Sequence, residues 1–243
     1  MSVVVIPASM SSKRLPGKLM LKINGIPLIT RVVNRCLKSN ANKVIVATDH
    51  RDIAQLCSSI RGLEVVMTNH EIFSGSDRVA DAVKNIDDNV IVNVQGDDPF
   101  TEPGLINMII SDLENSDCEI MNSAYTKIDK ENVCDPNTVK VVFDQNKYAL
   151  YFSRAVIPYD GDGKENVCYN KHLGIYGYHR NVLMKYHSFE QSMLERIEKL
   201  EQLRALENGI RIKLLESNKD FISINNAEDL KLAENLSRMI DND

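Results

Sequence analysis

The 243-residue chain is predicted to be an α/β protein with a mostly parallel sheet flanked by helices, interrupted by antiparallel strands at about residues 119–180. Three observations predict this. Ser2–Ala8 is a continuous valine-rich apolar run, the pattern of a strand buried on both faces in a parallel sheet. Strand-like and helix-like segments then alternate as far as Gln95. After about residue 115 the alternation stops and strand-like segments follow one another.

The first strand leads into a polar loop, Ser9–Lys18. Pro27–Lys38 has helical apolar spacing through Leu28, Ile29, Val32, Val33, Cys36 and Leu37. Lys43–Thr48 reads as a strand, Asp52–Ser59 as a helix, Glu64–Thr68 as a strand, Asp77–Lys84 as a helix and Val90–Gln95 as a strand, giving right-handed βαβ units. Glu119–Tyr125, Thr138–Asp144, Tyr148–Ser153 and His172–Tyr178 form the antiparallel region, with few helices between them. Ser192–Leu206 reads as one amphipathic helix closed by Gly209, Ile210–Leu215 as a strand and Asn226–Met239 as a final helix.

Bulk properties exclude several classes. A length of 243 residues suits one α/β domain with an elaborated insertion, or a domain and a half, rather than two independent folds. A net charge of -5 argues against a nucleic-acid partner, which needs a broad basic face. The five cysteines (Cys36, Cys57, Cys118, Cys134 and Cys168) are odd in number and never paired as C-x-x-C, against a disulfide framework or a zinc site. No apolar run approaches the ~18 residues of a membrane span, and the start resembles a strand rather than a signal peptide. A cytoplasmic location and no membrane insertion are expected.

Ligands of open parallel sheets sit beyond the carboxyl ends of the strands, where strand order reverses. That directs attention to the loops. The first, SMSSKRLPGK, gathers Lys13, Arg14 and Lys18, and is either a polyphosphate cradle or a solvated basic turn. It matches neither a Walker A loop nor the G-x-G-x-x-G of dinucleotide binders. The second, NVQGDDPF, sets Asp97 and Asp98 after an apolar strand, as a Mg²⁺–triphosphate site needs and as an Asp-Asp-Pro turn also satisfies. In SGSDR, Ser74 or Ser76 caps a helix, and Arg78 reaches a nucleotide or pairs with Asp77 or Asp81. His172 and Tyr176, four apart on a strand, share a face, and with Arg154 they line an acid-binding pocket or else an edge surface or interface.

Together IPASMSSKRLPGK, VIVATDH, GSDRVADAV, VIVNVQGDDP, YALYFSRAVIP, HLGIYGY and LEQLRAL resemble, in order and over nearly the whole chain, the 3-deoxy-manno-octulosonate (Kdo) cytidylyltransferase family. The resemblance implies a Rossmann-like nucleotide domain and a homodimer built on the antiparallel insertion. It implies the reaction of CTP with Kdo to give CMP-Kdo and diphosphate, for lipopolysaccharide synthesis, with Mg²⁺ as cofactor. Arg14 and Lys18 would hold the triphosphate, and Asp97 would ligate the metal and join them as catalytic residues. Pro7, Ala8, Ser74 and Arg78 would lie around the nucleotide. Gln95, Arg154, His172, Tyr176, Glu201 and Gln202 would surround the sugar acid.

Two positions depart from the family pattern. The first strand ends Pro7-Ala8-Ser9 where the family has P-A-R, a lost cation that Lys13 replaces in part. In Ile224-Asn225-Asn226-Ala227-Glu228-Asp229-Leu230, Asn225 stands where the family has a metal-binding Asp. An amide oxygen still ligates a hard cation; alternatively Asn225 is the N-cap of the last helix, with Glu228 three residues on. The other readings are a cytidylyltransferase for a related sugar acid (8-amino-Kdo or a nonulosonate), a catalytically weakened nucleotide-binding relative, and, more remotely, an NAD-dependent oxidoreductase.

Overall fold

The computed structural model describes all residues except 13, 73, 117–118, 162–166 and 241–243, with the backbone alone for 239–240. Lys13 and Cys118 therefore lie outside the described residues. The chain divides into two compact units, Met1–Ser111 with Phe221–Asp243, and Asp112–Asp220. The second unit is wider than the 119–180 stretch expected from the strand pattern.

The first unit contains β1 (Ser2–Ala8), a small antiparallel pair β2 (Lys22–Ile23) and β3 (Ile26–Pro27), α1 (Leu28–Cys36), β4 (Lys43–Thr48), α2 (Arg51–Ser58), β5 (Glu64–Met67), α3 (Gly75–Val83), β6 (Val90–Asn93) and most of α4 (Pro103–Glu114). β1 pairs in parallel with β4 on one side and with β6 on the other, and β5 pairs in parallel with β4. The chain builds outward from β1 through β4 to β5, then returns across β1 to place β6. Strand order thus reverses between β1 and β6, and the loops following these two strands open at the reversal. All seven residues of β1 are buried, as its unbroken apolar run requires. Leu28, Ile29, Val32, Val33 and Cys36 form the buried stripe of α1, and α3 packs on β1, β4 and β6.

The second unit contains β7 (Met121–Ile128), β8 (Lys140–Phe143), β9 (Ala149–Ser153), β10 (Tyr169–His179), α5 (Arg180–His187), α6 (Met193–Glu198), α7 (Gln202–Glu207) and β11 (Ile212–Glu216). β7 pairs with β10, β10 with β8 and β8 with β9, all antiparallel, while β11 runs parallel to β7. The final helix α8 (Ala227–Ile240) belongs to the first unit. The chain is thus a mixed α/β fold with a parallel sheet flanked by helices and antiparallel strands besides.

One expectation needs correction. The single helix expected over Ser192–Leu206 is two helices, α6 and α7, separated at Lys199, whose φ of 57° is left-handed. α6 opens with a Ser192–Glu195 capping box. It ends where the Glu198 carbonyl, one of its terminal acceptors, turns to Arg154: Arg154 Nε donates to that carbonyl at 2.9 Å, and the Arg154 backbone N–H donates to the Glu198 carboxylate Oε2 at 3.0 Å. Between β7 and β10 no α-helix is present among the described residues, as expected, while α4 and α5 on either side of that region were not read from the sequence; in α4, Leu105, Ile106, Ile109, Ile110 and Leu113 are buried. Among the described residues no helix is long and apolar enough to cross a membrane. Cys36, Cys57, Cys134 and Cys168 are free thiols.

Candidate active site

A cavity of about 370 Å³ opens at the strand reversal of the first unit, between Pro7 on β1, Arg14 and Lys18 on the following loop, Ser74 at the start of α3, and Gln95 and Asp97 after β6. Its walls come together through close backbone approach. A Cβ on Gly96 would lie 2.9 Å from the Pro7 carbonyl oxygen, and one on Gly75 would lie 3.2 Å from Gln95 Oε1. Glycine at both positions lets the β6 loop and the start of α3 close on the end of β1.

The two carboxylates after β6 differ in placement. Asp98 is buried, and its N–H closes a turn on the Gln95 carbonyl at 3.2 Å. Asp97 is turned into the cavity, where its carboxylate pairs with Lys18. Lys18 Nζ also donates to the Ile224 carbonyl at 3.1 Å, and the Ile224 N–H donates to the Asp97 carbonyl at 2.9 Å. Arg14 Nη2 donates to Asn225 Oδ1 at 2.7 Å. Arg14, Lys18, Asp97 and Asn225 are therefore one constellation. Asn225 is not the helix cap. Asn226 is: its Oδ1 accepts from the N–H groups of Glu228 at 2.8 Å and Asp229 at 2.9 Å, while Asp229 Oδ2 accepts back from the Asn226 N–H at 3.0 Å.

Ser74 both lines the cavity and caps α3, accepting from the Asp77 N–H at 3.0 Å. Arg78 pairs with neither Asp77 nor Asp81. It is 3% exposed, its Nη2 donates to Asp49 Oδ2 and to the Ile72 carbonyl, both at 3.0 Å, and its Nη1 donates to Thr68 Oγ1 at 2.5 Å. The guanidinium thus ties the ends of β4 and β5 to the loop before α3 and forms part of the cavity wall. Asp49 was not singled out from the sequence, although it stands just past the carboxyl end of β4, where the reasoning used for Asp97 applies equally. Pro7 lines the cavity; Ala8 is fully buried, and Ser9 rather than Ala8 reaches the cavity wall.

Of the residues expected around a sugar acid, Gln95 belongs to the first unit, where its Nε2 donates to Asn93 Oδ1 at 3.2 Å. The other five lie in the second. His172, Tyr176 and Gln202 form one buried network: Tyr176 Oη donates to Gln202 Oε1 at 3.0 Å, and Gln202 Nε2 donates to His172 Nδ1 at 3.5 Å. His172 Nε2 meets Ser123 Oγ at 2.8 Å, and that hydroxyl donates to the Ile175 carbonyl at 2.9 Å. The chain of donors fixes a neutral imidazole with its proton on Nε2. Burial pushes the His172 pKa down to about 3. A bulge in β10 between Leu173 and Tyr176 brings the two rings to 5.6 Å between centroids, far closer than four residues of extended strand allow. The expectation that these side chains line an open pocket with Arg154 needs amending. His172 and Tyr176 are buried and bonded to each other through Gln202, while Arg154 donates to the Glu198 carbonyl and, at 2.8 Å, to the Pro136 carbonyl. Glu201 precedes α7 and accepts from Tyr186 Oη at 3.0 Å through its carbonyl.

Lys140 went unnoticed in the sequence, although a lysine in an apolar strand is a signal. It is fully buried, and its ammonium donates to the carbonyls of Asp135 at 3.1 Å, Thr138 at 2.6 Å and Arg154 at 2.6 Å. All three ammonium donors are thereby satisfied. Burial lowers its pKa from the ordinary lysine value.

A parallel sheet with cations and a carboxylate at its strand reversal defines a nucleotide-handling α/β protein, and a family model described as "Cytidylyltransferase" matches residues 3–212. Relatives called 3-deoxy-manno-octulosonate cytidylyltransferase are 38% identical in Chlorobium phaeovibrioides (98% of this chain, 97% of the relative) and 41% identical in Fusobacterium nucleatum (93% of each). A solved structure of CMP:2-keto-3-deoxy-manno-octonic acid synthetase complexed with CTP superposes with a TM-score of 0.93 at 34% identity, covering 98% of this chain and 99% of that one. The chain belongs to the 3-deoxy-manno-octulosonate cytidylyltransferase family.

Proposed function

We propose that this protein joins CTP to Kdo, giving CMP-Kdo and diphosphate, and so activates the sugar for lipopolysaccharide synthesis. The observation that carries the reading is the constellation of Arg14, Lys18, Asp97 and Asn225 at the strand reversal, in a chain similar over nearly its whole length to enzymes of that name. Arg14 and Lys18 bind the triphosphate. Pro7, Ser74 and the Arg78-braced wall surround the nucleotide. By likeness to the family, recognition of the sugar acid falls to the second unit, to Arg154 and Glu201 over the buried His172–Gln202–Tyr176 network.

The oxygen donors of Asp97, Asn225 and the Ile224 carbonyl meet the same loop cations, and they form a hard donor set with one carboxylate. Mg²⁺ is content with one or two carboxylates when phosphate and water complete its shell, so these residues fit it. Bound there, Mg²⁺ supplies charge neutralisation of the polyphosphate. The sugar's anomeric hydroxyl oxygen forms a bond to the α-phosphorus as the bond from that phosphorus to the β-phosphate oxygen breaks; diphosphate leaves with the electron pair, and the hydroxyl proton passes to water. Arg14 and Lys18 orient the triphosphate for this displacement and offset charge on the departing group.

We further read the protein as a cytoplasmic homodimer that uses the second unit. In support, Leu150, Val156, Tyr159, Met193 and Ile197, all in that unit, are large apolar side chains left exposed. Sedimentation should give two copies per particle, with Leu150→Asp shifting the particle toward one copy; a wild-type monomer overturns this part. The activity is tested by diphosphate release across nucleotides and sugar acids. Release should require CTP, Mg²⁺ and Kdo together, and equal turnover with UTP and glucose 1-phosphate overturns the reading.

A further inference from the structure

The loop after β1 supplies cations, and the segments facing it supply oxygen donors. In the structure the two sets are paired with each other. Lys18 holds the Asp97 carboxylate and the Ile224 carbonyl, and Arg14 holds the Asn225 amide oxygen. The Lys18 and Asp97 side chains are only 14% and 23% exposed, so water screens their attraction incompletely. Each member of the hard donor set (Asp97 through Oδ2, the Ile224 carbonyl and the Asn225 amide) therefore already has an oxygen engaged by a side-chain cation from a single loop.

We infer that Lys18 and Arg14 are internal counter-ions, which occupy the oxygen donors of the cation site until a polyphosphate draws them away, so that this site opens together with nucleotide binding. The inference rests on the nucleotide reading above and adds regulation of that same site. A triphosphate offers both side chains several charged acceptor oxygens in place of one carboxylate and two neutral oxygens. When Lys18 and Arg14 move to it, the Asp97 carboxylate is left partly desolvated without a counter-charge, which is unfavourable. Two positive charges leave the donors and one divalent ion restores them. No covalent bond changes. The arrangement keeps free divalent cations from settling on Asp97 before substrate arrives, and it couples the affinities for metal and nucleotide reciprocally.

The test uses Mn²⁺ alone with the full chain and no nucleotide, reading free Mn²⁺ by electron paramagnetic resonance. Wild type should bind weakly, and Lys18→Met should bind at least about 10-fold more tightly, within the usual range of coupling between sites. Adding Asp97→Asn to Lys18→Met should abolish the gain. Lys43→Met removes a cation paired elsewhere, with Asp88, and should leave Mn²⁺ affinity unchanged. Arg14→Leu is the second variant should Lys18→Met not fold, and it should also tighten binding. The inference is overturned if folded Lys18→Met or Arg14→Leu binds Mn²⁺ no better than wild type, or if Lys43→Met tightens it equally. Failure of the nucleotide reading is distinguishable, because wild type would then release no diphosphate from CTP, Mg²⁺ and Kdo whatever its Mn²⁺ affinity.

Discussion

Gly96 sits where a side chain would strike backbone, with an added Cβ 2.9 Å from the Pro7 carbonyl oxygen. Relief of the clash by the β6 loop would move Asp97, which directly follows Gly96. Gly96→Ala should therefore lower kcat/KM roughly 10²-fold, the usual effect of misplacing a catalytic group by about 1 Å. Unchanged kinetics in a folded variant would mean that Asp97 tolerates displacement. His172 gives a prediction of a different kind. Its imidazole stays neutral in the fold down to about pH 3, whereas in the unfolded chain it titrates near its ordinary 6.5. Between these values the unfolded state binds a proton that the folded state refuses, so stability should fall as pH drops from about 6.5 toward 3. Urea unfolding of wild type and His172→Gln across this range checks it: the variant should lose part of the slope, and identical slopes would contradict a buried neutral ring.

At the scale of elements, α8 shows how a single position separates two roles. Asn226 and Asp229 cap the helix, and the Asn225 side chain points instead to Arg14. Asn226→Ala should cost about 1 kcal/mol of stability, the typical value of a lost N-cap, while Asn225→Ala should leave the thermal midpoint nearly unchanged. The reverse order in a denaturation series would return Asn225 to the cap. Much of the element order was legible because burial leaves a period in the sequence. β1 is buried throughout and reads as an unbroken apolar run, and α1 displays its stripe at helical spacing. The α6–α7 break was not legible. Leu200 and Leu203 continue the helical period across it, and the cause, Arg154 on the Glu198 carbonyl, is a contact with a residue 44 positions away. The register change in β10 was hidden for the same reason, since it depends on Ser123 bonding the Leu173 and Ile175 carbonyls.

At the scale of the whole molecule, the sheet's strand order explains why distant stretches of sequence meet at one edge of the sheet. β1 and β6 flank the reversal, and the Ile224–Asp97 backbone bond brings the segment before α8 to the same edge. The loops after β1 and β6 could be named from sequence because fold class alone locates a ligand beyond the carboxyl ends of parallel strands. The partners of each side chain could not. Arg78 was weighed against Asp77 and Asp81, its sequence neighbours on the helix, and the structure pairs it with Asp49 across the sheet. The central claim is that this constellation transfers a cytidylyl group to a sugar acid. Phosphorus-31 magnetic resonance of the protein with CTP, Mg²⁺ and Kdo tests it most directly. The account predicts diphosphate and a CMP ester appearing in equal amounts as CTP disappears, with the rate reduced roughly 10²-fold or more in Lys18→Ala, equivalent to about 2.7 kcal/mol. CTP left intact, or converted to CDP and phosphate without the ester, would contradict it.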